Sequence, residues 1–222
     1  MANGVSGCPA GATKACLLYS PGIYTGGIDV KNQTAIFKPG IYFIDSNQGF
    51  QNSANGDSYM ATGFPDDPST GQGMLIYYTN SGPLSGGHVN TGGFAIGANG
   101  TSNVAGAGCS SVTNTCNSNY YKGVLAWEDR NAIAHTDSNS HNFGGGGAMA
   151  LIGSIYITPT DAAMRAAPAI YSVTQLKGTS GSATVISGGI ITSSLDIRGN
   201  SAIKMRLNPQ AAFVVRQVAL VK

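Results

Sequence analysis

The sequence predicts an all-β chain wound as a single right-handed parallel β-helix, with long inserted loops and at most one short helix. Three observations carry that expectation. Glycine is the first: it fills 32 of 222 positions, about twice the usual ~7 % share, with no collagen period. Glycine supplies the positive φ of tight turns, so many glycines between short apolar runs mean many corners. The second is the length of those runs. Most hold three to five residues, separated by Gly, Asn or Ser corners of one to three; a β-sandwich would space its turns about 8–12 residues apart. The third is a repeated tetrapeptide, Pro-Gly-Ile-Tyr, at 21–24 and again at 39–42. Between the copies, Ile28, Val30 and Ile36 suit two further inward segments. Eighteen residues then make one coil, and the Pro-Gly corner is expected to recur directly above itself.

The elements follow in order. Residues 1–20 read as an N-terminal cap loop. Strands are expected at 23–25, 28–30, 35–37 and 41–44. Residues 45–73 are polar and turn-rich and read as a long insertion. Strands resume at 74–79 and 94–96, and 98–119 reads as a second insertion. Further strands are expected at 123–127, 148–151 and 154–158. The stretch 158–168 carries the one helical signal, with Thr160 or Asp161 as cap and Pro168 as stop. Strands then follow at 169–173, 184–186, 189–192, 195–197, 202–205 and 212–221, the last closing the far end of the stack, where core and strand edges would otherwise be open. Gly73, Gly123, Gly153 and Gly188 each precede an apolar strand, which predicts an inward ladder of Leu75, Leu125, Ile155 and Ile190. No coil buries its own face, so neighbours supply the core, and the whole chain 1–222 reads as one domain.

Composition narrows the function classes. Apolar residues make up 42 %, enough for a core. A chain of this size buries roughly 70 % of the surface it exposes when unfolded. Charged residues are only 10 % and the net charge is +2. The basic residues are scattered, whereas phosphate binding needs several on one face, so no nucleic-acid partner is expected. The Gly144–Gly147 run lacks the Lys and Ser/Thr of a phosphate loop. No run of eighteen apolar residues exists to span a membrane.

Four cysteines fall in two close pairs, Cys8 with Cys16 and Cys109 with Cys116. Structural metal sites use shorter gaps with His or Cys partners nearby. The pairs read as two local disulfides in an oxidising compartment, each contributing about 2–3 kcal/mol for so short a loop; four reduced thiols are the alternative. Residues 1–8 show neither a basic n-region nor an apolar h-region. A secreted or bacterial cell-surface location is therefore expected, with the signal or anchor trimmed away and membrane contact only through that anchor.

Several segments in sequence order resemble a known family: "PGIY…FKPGIYFID", "LIYYT", "GVLAWEDRNA", "GGGGAMALIGSIYIT" and "SGGIITSSLDIRGNSAIKM". They resemble the C-terminal extracellular region of tight-adherence (Tad/Flp) pilus-assembly proteins of the TadE/TadG type, over about residues 20 to 220. The resemblance implies an exported, membrane-tethered protein with a right-handed β-helix as its outer part. That family's usual N-terminal transmembrane helix has no counterpart in these residues.

Candidate chemistry concentrates in 126–147. His135, Asp137 and His141 are metal-ligand types. On one straight strand the two imidazoles would stand about 20 Å apart at 3.3 Å per residue, so a shared ion requires the turn-forming "TDSNS" segment to fold back. His88 lies in a segment that could be a neighbouring coil. No cofactor is expected, and a divalent ion, calcium or zinc, is the one candidate. For acid/base work the candidates are Glu128, Asp129, Arg130 and Asp137. Glu128 and Asp129 are adjacent and would point to opposite faces of a strand, whereas glycoside hydrolysis needs two carboxyls about 5 to 9.5 Å apart. Asp129 would have to pair with Asp137 or with Asp57, Asp66 or Asp67. Tyr77, Tyr78, Tyr120, Tyr121 and Trp127 are the candidate ligand-binding rings on an outer face, since amphipathic aromatics favour recognition.

The expected function is an extracellular or cell-surface recognition and adhesion module linked to pilus-type assemblies, with polysaccharide or pilus and cell-envelope proteins as partners. Two alternatives stand beside it. One is a polysaccharide lyase or glycoside hydrolase using 128–141. The other is a structural subunit whose coils stack end to end.

Overall fold

In a computed structural model the chain is a parallel β-helix with three faces. The residues described are 5, 7–10, 12–46, 48–79, 93–96, 100–116, 121–129, 141–144, 146–157, 173–178, 184–192, 194–199 and 203–206. Six coils of three strands follow one another. The first holds β1 (Cys16–Tyr19), β2 (Gly22–Tyr24) and β3 (Ile28–Asp29). The second holds β4 (Thr34–Phe37), β5 (Gly40–Ile44) and β6 (Phe50–Asn52). The third holds β7 (Asp57–Met60), β8 (Met74–Tyr78) and β9 (Phe94–Ile96). The fourth holds β10 (Ser102–Ala105), β11 (Val124–Glu128) and β12 (His141–Phe143). The fifth holds β13 (Met149–Ile152), β14 (Ser154–Ile157) and β15 (Val173–Gly178). The sixth holds β16 (Thr184–Ser187), β17 (Ile190–Thr192) and β18 (Ser194–Gly199), and β19 (Ile203–Arg206) opens a seventh.

Each strand from β1 to β16 pairs in parallel with the strand three places on, giving sheets of seven, six and six strands among the described residues. The first sheet runs from β1 to β19, the second from β2 to β17 and the third from β3 to β18. The one helical element among the described residues is a single 3-10 turn, Tyr121–Gly123. The helix expected at 158–168 and the closing strand expected at 212–221 lie outside the described residues.

The repeated tetrapeptide marks successive coils, but its copies do not stack residue on residue. Cys16 pairs with Thr34, a step of eighteen, while Gly22 pairs with Tyr42, a step of twenty. A shift of two keeps every side chain on its own face. It also sets Gly40, at φ +136, against the Pro21 ring, where any Cβ would overlap the ring carbons. The Pro-Gly pair thus serves the approach of two corners. At the corner leading into the second sheet, Gly153 packs on the Gly123 carbonyl and Gly188 on Gly153.

The core is one continuous column of side chains, with Phe37, Tyr42, Phe50, Ile76, Phe94, Leu125, Phe143 and Leu151 fully enclosed. Phe50, Phe94 and Phe143 form an edge-to-face stack, with centroids 5.4 and 5.1 Å apart. The expected ladder is corrected at Leu75, while Leu125 is enclosed as expected but sits at an irregularity that makes Ala126 the register partner. The inward column is Tyr42, Ile76, Ala126, Ile155 and Ile190. Leu75 instead joins Val124 and Ala107 in a small satellite cluster. Counting two residues from each glycine fails there because the register shifts between Val124 and Ala126.

Two expected insertions contain strands. Residues 45–73 hold β6 and β7, and 98–119 hold β10. Each mixes a polar inward position with apolar ones, Asn52 with Phe50, Ser58 with Met60 and Ser102 with Val104, which hid them from hydrophobic alternation. Asn52 donates from Nδ2 to Ser58 Oγ at 3.1 Å and to Ser102 Oγ at 2.7 Å, all three buried, so the amide donors and both hydroxyls are paired across three coils.

Both disulfides are formed, Cys8–Cys16 and Cys109–Cys116. The first loop reaches sideways. Gly7 lies against Ile36 and Thr62, and Lys14 donates to Asp57 Oδ2 at 2.7 Å and to the Asn55 carbonyl. The rings over the first coil's interior are Tyr19, stacked on Phe37 at 5.0 Å, and Tyr24, stacked on Tyr42 at 5.8 Å.

Candidate functional site

The second sheet's strands alternate, and the alternation sorts neighbours onto opposite faces. In β5, Tyr42 and Ile44 are fully buried while Phe43 between them is half-exposed. The same holds for Tyr77 in β8, Trp127 in β11 and Tyr156 in β14. The pairing register places these outward residues in one file. Ile23 is beside Phe43, Phe43 beside Tyr77, Tyr77 beside Trp127, Trp127 beside Tyr156 and Tyr156 beside Ile191. Six coils give five steps, so the strip is roughly 24 Å long at about 4.8 Å per step. Ile23 is 54 % exposed and Ile191 37 %, so apolar residues stand at both ends with four aromatic rings between them.

The rings are ordered by one another. Trp127 and Tyr156 stack at 4.2 Å and 12°. Phe43 and Tyr77 meet nearly edge-on at 5.7 Å and 62°. A stacked pair spends one face of each ring on its neighbour. A ligand is therefore offered ring edges, the free faces and the polar tips of Tyr and Trp. Asp129 follows the end of β11, its N–H bonded to the Tyr78 carbonyl at 2.9 Å. The Tyr77 hydroxyl donates to the Asp129 carboxylate, and burial followed by that negative charge raises the Tyr77 pKa. Asp129 thus gives the strip an acidic border.

The opposite face of the same strands holds a different group. Glu128 is the register partner of Tyr78, and both are fully buried, as is His141. His141 Nδ1 accepts the Phe94 N–H at 2.9 Å. That bond places the proton of a neutral imidazole on Nε2, which stands 3.8 Å from Glu128 Oε2. The Tyr78 ring meets the His141 ring edge-on at 6.2 Å. Burial, then the Glu128 charge, raises the Tyr78 pKa well above the usual tyrosine range.

The expected residues divide accordingly. Tyr77 and Trp127 lie together on the outer face, and Tyr121 is exposed in the short turn before β11. Tyr78 is a correction: it points inward, because it is the odd neighbour of Tyr77 on a strand. Glu128 and Asp129 do face opposite ways. Glu128 and His141 are enclosed by the core, so neither can meet a polymer from solvent. Tyr120, Arg130, His135, Asp137 and His88 lie outside the described residues. Among the described residues no group of three His, Cys, Asp or Glu side chains is arranged to hold a metal ion. Asp57 is committed to Lys14 and to the Thr101 N–H, and Asp67 caps its own turn through the Ser69 and Thr70 N–H groups. Sequence reasoning missed Phe43 and Tyr156. The signal was present as Ile-Tyr-Phe-Ile and Ser-Ile-Tyr-Ile, but only the register shows which ring of each faces outward.

No protein-family model, curated protein or solved structure matches the chain.

Proposed function

We propose that this chain is an extracellular recognition module that binds polysaccharide along the outward strip Ile23, Phe43, Tyr77, Trp127, Tyr156 and Ile191. One observation carries the reading: six consecutive coils place an apolar or aromatic side chain at the same outward register position. The inward column supplies the main core, and the file adds to burial chiefly where Trp127 packs on the satellite cluster. A linear array of amphipathic rings suits a linear ligand that is itself amphipathic, as a glycan is, with C–H surfaces and hydroxyl edges. Two disulfides and a surface poor in charge suit an oxidising exterior. The resemblance to pilus-assembly proteins supplies the setting, a module presented outside the cell for adhesion. A polymer-cleaving role for Glu128 is disfavoured by its burial.

Trp127 is the only tryptophan, so its fluorescence reads the strip directly. Titration with soluble polysaccharides, alongside co-sedimentation with insoluble ones, should shift the Trp127 emission. Trp127→Ala and Tyr156→Ala should abolish co-sedimentation, while Tyr78→Phe should keep it. Undiminished binding by both outward variants would overturn the reading.

A further inference from the structure

A second concave site lies at the corner where the first sheet hands over to the second. Its volume is about 210 Å³, suited to one small ring. The walls come from two loops and the entry to β5. The loop after β7 contributes Met60, Thr62, Phe64, Asp66 and Gln72, and the loop after β10 contributes Ser110, Ser111 and Val112.

Both walls are held by their own bonds. Asp67 and Gly71 exchange backbone hydrogen bonds at 3.0 and 2.7 Å. In the second loop the Cys109–Cys116 disulfide closes the base, and the Ser110 N–H donates to the Thr115 carbonyl at 2.9 Å. The Gly108 N–H donates to the buried Thr70 carbonyl at 2.6 Å, tying one wall to the other. A site whose walls are fixed before binding loses little entropy when it is filled.

The lining is mixed in a particular way. Phe64, Met60 and Val112 offer an apolar side. Asp66 offers acceptors, Gln72 offers both donors and acceptors, and Thr62 and Ser111 offer hydroxyls. The Lys38 ammonium stands 4.9 Å from the Phe64 ring centre, so one face of that ring is already occupied by a cation. An apolar platform opposite hydrogen-bonding groups is what a pyranose requires, and the Asp66 carboxylate disfavours an anionic sugar. Pro39 also lines the site. Pro39 and Phe43 are four residues apart on one side of β5, roughly 13 Å at 3.3 Å per residue. The corner site therefore stands a short distance from the aromatic strip, along β5.

We infer that this corner is a subsite for one neutral pyranose unit, such as a branch or chain end of the glycan bound on the strip. The sugar class rests on the function proposed above; the site itself rests on its own geometry.

The test is an NMR titration of the isotope-labelled protein with methyl glycosides of glucose, galactose, mannose and N-acetylglucosamine. At least one should shift the Phe64 ring signals and the Ser110 to Val112 amides. Asp66→Asn and Gln72→Ala should each weaken that binding about tenfold, the loss of one good hydrogen bond. Both residues are exposed, so the rest of the spectrum should stay unchanged and report an intact fold. Shifts confined to Trp127 and Tyr156 would overturn the corner site while sparing the strip. Shifts confined to Phe64 and 110–112 would support the corner and count against the strip. No shift with any glycoside, or shifts that both variants leave intact, would overturn the inference.

Discussion

Tyr42 and Phe43 are adjacent in β5, and the pleat sends them into two different environments. Tyr42 belongs to the inward file and is fully buried, its hydroxyl donating to the Lys38 carbonyl at 2.8 Å. Phe43 belongs to the outward file and stays half-exposed. Both files are rich in apolar and aromatic residues, and both run the length of the second sheet. The inward file touches all three sheets, so every position is constrained by packing. The outward file touches its own neighbours above and below and, at Trp127, the satellite cluster of Leu75, Ala107 and Val124. Similar chemistry therefore maintains the fold on one face and remains available to a partner on the other.

Truncating an enclosed ring should give the largest stability effect. Phe50→Ala removes the ring that packs on both Phe37 and Phe94, and should cost about 3–5 kcal/mol, read as a fall in the denaturant midpoint at unchanged slope. A loss under about 1 kcal/mol would mean that the enclosed rings are not the source of stability.

Alkaline pH should come next. Burial raises the pKa of Tyr42 and Tyr78 in the folded chain, with Tyr24 adding to the first and the Glu128 charge to the second. The folded state then holds its phenol protons after the unfolded chain has released them. Stability is complete below about pH 10, the unfolded tyrosine value, and falls as pH rises above it, by up to about 1.4 kcal/mol per unit for each such tyrosine. Tyr78→Phe should flatten that fall, measured as midpoint against pH from 8 to about 11. An unchanged slope would place Tyr78 outside the core.

The outward file should give the smallest stability effect. Trp127→Ala loses a stacked partner and a half-buried ring, and should cost about 2 kcal/mol, less than Phe50→Ala, while removing the binding proposed for the strip. A cost as large as that of Phe50→Ala would erase the distinction between the two faces.

Much of the architecture was legible before any coordinates. Short apolar runs between glycines announced stacked coils, because a strand of three to five residues has too little area to bury by itself. The strands at 35–37, 41–44, 74–79 and 154–158 were readable because their inward positions are apolar. β6, β7, β10 and β12 were not, since Asn52, Ser58, Ser102 and His141 share the inward face with Phe50, Met60, Val104 and Phe143 and blur the alternation. Two of the strip's four rings were legible too. Tyr77 and Trp127 stood out as aromatics, whereas Tyr78 looked equally suitable and turned out to be interior.

The sequence by itself determined that this chain winds into stacked coils and closes two cystine loops, because local spacing of glycine, apolar and cysteine residues is enough to specify them; it did not fix the coil length, which runs from eighteen to fifty residues. Only the tertiary structure decided which ring faces solvent and which neighbours stand beside it. A register slip of one residue exchanges the two faces of a strand, and the glycine spacing alone does not reveal the shift at Val124 and Ala126 that sets it. The file of six outward residues is therefore a product of stacking, assembled from positions twenty to fifty apart in the chain.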